Sequence, residues 1–231
     1  DEDYLLIEQW AQSLGGSLLD LACGTGRMAI HLAALGHQIT GVDIVPEMIG
    51  HARKKAADRA VSVNWVVSDA RDFHLHQQFR GIYMLMNAFQ FLPTRPDYEA
   101  LFACVREHLQ PDGYFLFETR NPSTRNLLGL RVPEPQHYIA SDGRQLTIID
   151  QQVYDPLTQI QHYTSNYQWL HPDGHRTETI KRVALRYIYP EEMEALLHYN
   201  GLKIHTCYGD WQQNPLTADS PAMIYICQKR T

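Results

Sequence analysis

The chain has 231 residues, enough for one sizeable hydrophobic core and an inserted subdomain but tight for two independent domains. Its 20 basic and 26 acidic residues give a net charge of -6, which argues against a dedicated nucleic-acid surface. Four widely spaced cysteines, Cys23, Cys104, Cys207 and Cys227, argue against a zinc or disulfide framework and fit a reducing cytoplasm; no apolar run approaches the roughly 20 residues that span a bilayer, and no signal peptide is visible.

Tyr4 to Leu14 has near-helical apolar spacing and is expected to pack on a first strand, Ser17 to Ala22, which one acid, Asp20, interrupts. Gly24-Thr25-Gly26 then lets the backbone turn tightly and approach a ligand. A helix follows with Ala29, Ile30, Leu32, Ala33 and Leu35 on one side; Gly36 stops it, and Gln38 to Val42 is a second strand ending in Asp43. This is a βαβ unit with a ligand crevice at its strand ends. Pro46-Glu47 opens another helix, to about Ala57. Val63 to Val67 is a buried strand ending in Ser68-Asp69-Ala70, and Gly81 to Met86 is another, ending in Asn87-Ala88-Phe89. Asp97 to Leu109 is helical, Pro111-Asp112-Gly113 is a turn, and Tyr114 to Thr119 is a fifth strand. Strands alternating with helices imply a parallel sheet covered on both faces.

The rhythm changes at about Asn121. A loop with Arg125 and Arg131 leads to segments near Gln136 to Ala140, Arg144 to Tyr154, Gln159 to Leu170 and His175 to Tyr189, separated by Asp-Gly and Asp-Pro turn signals. They read as a small antiparallel sheet inserted into the main one. Pro190 then opens a helix, Gly201 ends it, and Leu202 to Tyr208 and Ala222 to Gln228 close the core. The expected division is therefore a core of residues 1–120 and 190–231 with an insertion at 121–189.

Gly24 to Ala29 also satisfies GxGxxA, the dinucleotide fingerprint, but Asp20 sits where that pattern favours an unbroken apolar strand. The run DLACGTG with the acid Asp43 resembles instead the first motifs of the class I S-adenosylmethionine-dependent methyltransferases. Asp43 to Met48, Ser68-Asp69-Ala70 and Met86 to Phe89 resemble that family's second, third and fourth strand ends. The resemblance covers about Leu5 to Thr119 plus the closing helix and strands. It implies an α/β, doubly wound, mostly parallel seven-stranded sheet, with the antiparallel insertion as a subfamily feature found in small-molecule methyltransferases, some acting on sugar amines.

The resemblance further implies a cofactor site for S-adenosylmethionine, released as S-adenosylhomocysteine. Gly24 and Gly26, with Ala22 and Thr25, would lie beside its methionine part, and the helix N-terminus and Arg27 would favour its carboxylate. Asp20 would serve the turn amides or the ligand ammonium. Asp43 would bind both ribose hydroxyls, with a helix cap before Pro46 as its bland alternative. Asp69, beside Ser68, would accept from the adenine amine unless it is an ordinary turn aspartate, while Ile44, Met48 and Ala70 contact the ring. Met86, Asn87 and Ala88 would border the cofactor, with Asn87, Phe89 and Gln90 on the methyl-transfer side. Methyl transfer rests on positioning, so a base is optional; Asn87, Glu118 and Tyr187 are the catalytic candidates, with His137, Tyr138 and His171 as further bases. No metal site is expected: His74-Leu75-His76 lacks acidic or thiol partners.

Tyr163, Ser165, Tyr167 and Trp169 alternate onto one face of the insertion. That face suits a substrate lid, with Tyr167, Trp169 and Arg120 touching the acceptor, or equally a surface packed on the core or on the partner of a homodimer. A preceding segment is expected because the first residue is Asp1 rather than methionine, and the sequence leaves its part in a lid open. The leading expectation is methyl transfer to nitrogen or oxygen of a small molecule. Rival readings are a non-catalytic S-adenosylmethionine-binding or assembly protein, an RNA methyltransferase and an NAD-dependent oxidoreductase.

Overall fold

Short apolar runs make the central strands, and in them every residue is buried rather than every second one. β1 (Leu18–Leu21) and β2 (Ile39–Asp43) show this pattern, which a parallel strand covered on both faces requires. The computed structural model describes residues 3–123, 127 and 134–230. The chain divides into two units, Asp1–Asn121 with Tyr189–Thr231, and Pro122–Ile188.

In the first unit α1 (Asp3–Leu14) precedes β1, α2 (Arg27–Ala34) joins β1 to β2, and α3 (Pro46–Asp58) joins β2 to β3 (Asn64–Val67). β4 (Phe79–Met84) leads through a 3-10 turn, Ala88–Phe91, to α4 (Arg95–His108) and β5 (Leu109–Arg120). The unit closes with α5 (Pro190–Tyr199), β10 (Leu202–Tyr208) and β11 (Ala222–Lys229). The strands form a seven-stranded sheet in the order β10-β11-β5-β4-β1-β2-β3, with β11 antiparallel to both neighbours. The chain runs outward from β1 to β3 and returns to β4 on the other side of β1. The loops after β1 and β4 therefore diverge, and between them lies the crevice at which such sheets bind ligands.

Capping chemistry sets the helix starts. Pro46 stands in the first turn of α3, and α4 opens with a capping box in which Thr94 N–H donates to the Asp97 carboxylate at 3.0 Å. Leu6, Ile7, Trp10 and Ala11 of α1 are buried, with the Trp10 ring edge-on to Tyr83 at 6.3 Å. Two details differ from the sequence reading. β5 begins at Leu109: its pairing jumps from Phe79 opposite Leu109 to Gly81 opposite Tyr114, so Pro111-Asp112-Gly113 bulges within the strand, and Arg80 holds Asp112 in an ion pair. β4 stops at Met84, because Met86 and Asn87 both take left-handed backbone, with φ of 58° and 55°.

The second unit contains a four-stranded antiparallel sheet, β6 (Gln136–Ile139), β7 (Gln145–Asp155), β8 (Ile160–Leu170) and β9 (Arg176–Arg186). Its hairpins use the turn chemistry seen in the sequence: Asp155 accepts from Leu157 N–H at 3.0 Å and from the Thr158 hydroxyl at 2.7 Å, and Asp173 accepts from His175 N–H at 2.9 Å. β9 ends three residues before Tyr189, and Tyr187 and Ile188 beyond it are buried. Arg125 and Arg131 lie outside the described residues.

Candidate functional site

The loop after β1 is built from left-handed residues: Ala22 has φ 57°, Gly24 55° and Gly26 77°. The two glycines do different things. A Cβ on Gly24 would meet nothing within 4 Å, whereas one on Gly26 would lie 2.4 Å from the Trp65 ring. Gly24 thus leaves its face open for a ligand, and Gly26 lets α2 close onto the sheet. Thr25 accepts a bond from Lys55 Nζ at 2.8 Å.

Asp43 holds this loop in place. Its Oδ2 accepts the Gly24 N–H at 2.7 Å and its Oδ1 the Val45 N–H at 2.9 Å, with the side chain nearly buried. The N-cap of α3 is Val45, which carries no side-chain cap bond, so Asp43 closes the turn before the helix and does not cap it. Each carboxylate oxygen keeps a second lone pair, so the ribose role is chemically open beside it.

Asp20 lies beneath the glycine loop at 4% exposure, level with Tyr83 across the β1–β4 register. Burial pushes its pKa up to about 8, against the Tyr83 hydroxyl, the Arg27 guanidinium and the Ala29 main-chain amide, which favour the charged form. Arg27 does not stand free: Nη1 donates to Asp3 Oδ1 at 3.0 Å, a second bond joins Nη2 to Asp3 Oδ2, and the Tyr4 ring lies 5.0 Å from the guanidinium carbon. The expected carboxylate-binding fork is thus presented by α2 already paired to α1.

A cleft of about 190 Å³ opens at the C-terminal strand ends, lined by Ala22, Val42, Asp43, Ile44, Ser68, Asp69, Ala70, Arg71, Met84, Ala88, Phe91 and Leu92. A larger hollow of about 610 Å³ lies at the opposite strand ends, by Ser17, Gln38 and Asn64. We assign function to the smaller one, where the switch point, the left-handed loops and the acids converge. Around it Ile44, Met48, Met86 and Phe91 are exposed at 58, 42, 68 and 57%. Large apolar side chains left open beside a polar corner suit a flat heteroaromatic ligand. Val42, Arg71, Met84, Phe91 and Leu92 were not anticipated from sequence. The 3-10 turn that brings in Phe91 and Leu92 has no periodic signal.

Asp69 is engaged by its own neighbour. Arg71 N–H donates to Oδ1 at 2.9 Å, Nε to Oδ1 at 3.0 Å and Nη2 to Oδ2 at 2.6 Å, and this pairing holds the Asp69 carboxyl below its ordinary range. Ser68 donates its hydroxyl to the Asp72 carbonyl at 3.0 Å.

On the other side of the switch point, Glu118 is 7% exposed, and its Oε1 accepts the Asn87 N–H at 3.2 Å. Burial raises its pKa, while the amides of Asn87 and Met86 oppose the rise. The acid therefore grips the strained turn that carries Asn87. Phe89 is 1% exposed and stacks on Phe117 at 4.5 Å and Tyr98 at 4.8 Å, so its ring belongs to the core rather than to an acceptor surface. Gln90 is likewise buried, and its Oε1 meets the Arg120 N–H at 3.4 Å, tying the 3-10 turn to the end of β5.

In the second unit Tyr187 is 1% exposed and edge-on to Tyr154 at 6.3 Å, a packing position. Tyr167 and Trp169 are half-buried on one face of β8, each under a cation: Lys181 Nζ lies 5.1 Å from the Tyr167 ring and the Arg144 guanidinium 4.8 Å from Trp169. His137, Tyr138 and His171 also lie in this unit, His137 and Tyr138 being exposed.

Comparison with known proteins fits this geometry. Residues 18–113 match the family model described as a methyltransferase domain. A crystal structure of an S-adenosylmethionine-dependent methyltransferase from Clostridium acetobutylicum ATCC 824 superposes with a TM-score of 0.83 over 100% of this chain and 91% of that one, at 16% identity. The fold is that of the class I methyltransferases, and the chain is similar in sequence to methyltransferases over residues 18–113. Among relatives, YqeM of Bacillus subtilis (strain 168), a methyltransferase by name, is 26% identical over 234 residues, 96% of this chain and 90% of the relative. The dTDP-3-amino-3,4,6-trideoxy-alpha-D-glucopyranose N,N-dimethyltransferase of Streptomyces venezuelae is 32% identical over 102 residues, so the match spans only 44% of this chain and 41% of that enzyme. No helix among the described residues is long and apolar enough to cross a membrane.

Proposed function

We propose that the cleft between the β1 and β4 loops holds S-adenosylmethionine, and that the protein transfers its methyl group to nitrogen or oxygen of a small molecule. The observation that carries this reading is the convergence of Asp43, the open face of Gly24 and the exposed Ile44 and Phe91 on one cleft at the switch point. The bound cofactor supplies an electrophilic methyl group: the acceptor lone pair forms the new bond to carbon as the bond from carbon to sulfur breaks, leaving a neutral thioether. The chain's own part is placement. Asp43 orients the ribose, Ala22 to Gly26 pass close to the methionine part, Ala70 and Ile44 face the base, and Glu118 holds the Met86–Asn87 turn at the methyl side. An acceptor that arrives as a free amine needs no residue to ionise it, which suits a site whose buried acid is already occupied by backbone amides.

An amine acceptor of the amino-sugar kind is the first to test, since the Streptomyces venezuelae relative is named for that chemistry. The aromatic face of β8, with Tyr167 and Trp169, is proposed as the acceptor lid. A homodimer through the inserted sheet is the second reading, favoured by β9, whose residues 176–184 are all exposed. The reaction is assigned to the cytoplasm, where Cys23, Cys104, Cys207 and Cys227 stay as free thiols. Calorimetric titration with S-adenosylhomocysteine tests the cofactor site, and label transfer from methyl-labelled cofactor to a panel of nucleotide amino sugars, amines and phenols tests the acceptor. Binding of NAD in place of S-adenosylhomocysteine would sink the proposal.

A further inference from the structure

Arg71 carries more geometry than a solvated surface cation needs. Its main chain is anchored twice, by N–H to Asp69 Oδ1 at 2.9 Å and by its carbonyl, which accepts from Cys104 Sγ at 3.2 Å. Its guanidinium then spans two carboxylates on different elements. Nε and Nη2 hold Asp69 after β3, while Nη1 donates to Asp97 Oδ1 at 2.5 Å. Asp97 sits in the first turn of α4, where its other oxygen accepts the Thr94 N–H at 3.0 Å and the Thr94 hydroxyl at 2.5 Å.

These two anchor points belong to the two walls of the cleft. One wall is Ser68 to Arg71, following β3. The other is Ala88, Phe91 and Leu92, which run directly into Thr94 and α4. Phe91 stands exposed at 57% on the second wall, opposite the small Ala70 on the first, so the gap between the walls is the width of the slot offered to a flat ring. Nothing in β3 fixes that width from below: its own burial is partial, and it is the edge strand of the sheet.

We propose that Arg71 is a positioning residue that ties the two walls of the cleft through Asp69 and Asp97, setting the slot for the cofactor's adenine. The proposal rests on the cofactor reading above. A planar guanidinium can satisfy both carboxylates at once, which a lysine ammonium cannot match. It also changes the part played by Asp69, whose oxygens are oriented by Arg71 before any ligand arrives.

The test is calorimetric binding of S-adenosylhomocysteine and of 5′-methylthioadenosine, which keeps the base and ribose but lacks the amino-acid end. Arg71→Ala should weaken both by tenfold or more, Arg71→Lys should recover only part of the loss, and Asp97→Asn should weaken both by threefold or more. The double variant should be no weaker than Arg71→Ala alone, as residues acting through one bridge require. Arg95→Ala removes the exposed Arg95–Glu99 pair on the same helix without touching Arg71 or Asp97; it should leave both affinities unchanged. Arg71→Ala within threefold of wild type, or losses that multiply in the double variant, would overturn the clamp while Asp43→Ala still abolished binding. Wild-type protein that binds neither probe, or Asp43→Ala that binds like wild type, would overturn the cofactor reading and the clamp with it.

Discussion

The two units make strands in opposite ways. β1 and β2 have only four and five residues, all buried. β8 and β9 have eleven each, yet most of β8 is half-exposed and β9 is exposed from Arg176 to Ala184. The core strands complete their burial within their own unit, since helices cover both faces. The insertion meets part of its aromatic surface only with cations, Arg144 over Trp169 and Lys181 over Tyr167. A sheet so open keeps surface available for an occupant, whereas the core cleft is lined by loops together with the strand ends Val42, Asp43 and Met84. Stability and cofactor binding should accordingly respond to core substitutions, and acceptor turnover to insertion ones.

The largest effect is expected at Asp43. Its carboxylate serves the Gly24 and Val45 amides in addition to the proposed ribose. Asp43→Ala should reduce S-adenosylhomocysteine affinity by about a hundredfold or more and also lower stability by about 1–2 kcal/mol, the usual cost of stranding buried amides. Calorimetry and urea unfolding measure the two separately. An unchanged affinity would return Asp43 to a purely structural role.

The two glycines of the turn come next, and they should separate. Gly26→Ala forces a Cβ into Trp65 at a left-handed residue, so a loss of about 3 kcal/mol in urea unfolding is expected. Gly24→Ala places its Cβ in open space, so stability should fall by only about 1 kcal/mol while S-adenosylhomocysteine binding weakens roughly tenfold. Equal effects on stability would show that both glycines are there for packing alone.

The framework was legible because it is written in period and punctuation. Buried runs marked β1 and β2, whereas β3, expected to be buried, is partly exposed as the edge strand; Asp142, Asp155 and Asp173 marked the hairpins with side chains that bond their own turns. The strand ends carrying Asp43 and Asp69 could also be placed. Side-chain partners could not. That Arg27 pairs with Asp3, and Arg71 with Asp97, depends on contacts across 24 and 26 residues of chain that no local pattern encodes. Phe89 shows the same limit: an aromatic after a polar strand end suggests a site, but only the packed Phe117 and Tyr98 reveal that its ring points into the core.

A smaller effect, confined to turnover, is expected in the insertion. Trp169→Ala removes a half-buried ring and the seat of Arg144. S-adenosylhomocysteine affinity should stay within about twofold, while kcat/KM for an acceptor identified by label transfer falls about tenfold through lost positioning. Unchanged kinetics would assign this face to packing or to a second copy.

The last effect sits deepest. Asp20 is held protonated by burial, with a folded-state pKa of about 8, well above the ordinary carboxyl value of about 4. Between those values the native protein binds a proton that the unfolded chain has released, so stability falls as pH rises through that window. Asp20→Asn deletes the titration and keeps the shape. Its urea midpoint should match wild type only below about pH 4 and exceed it increasingly up to pH 9. Some slope should persist in the variant, because the buried Glu118 is shifted in the same direction and loses stability with rising pH in the same sense. Parallel profiles for the two proteins would mean that Asp20 is ionised in the folded state at neutral pH, paired with Arg27. The acid beneath the glycine loop would then be a fixed charge rather than a neutral hydrogen-bonding group.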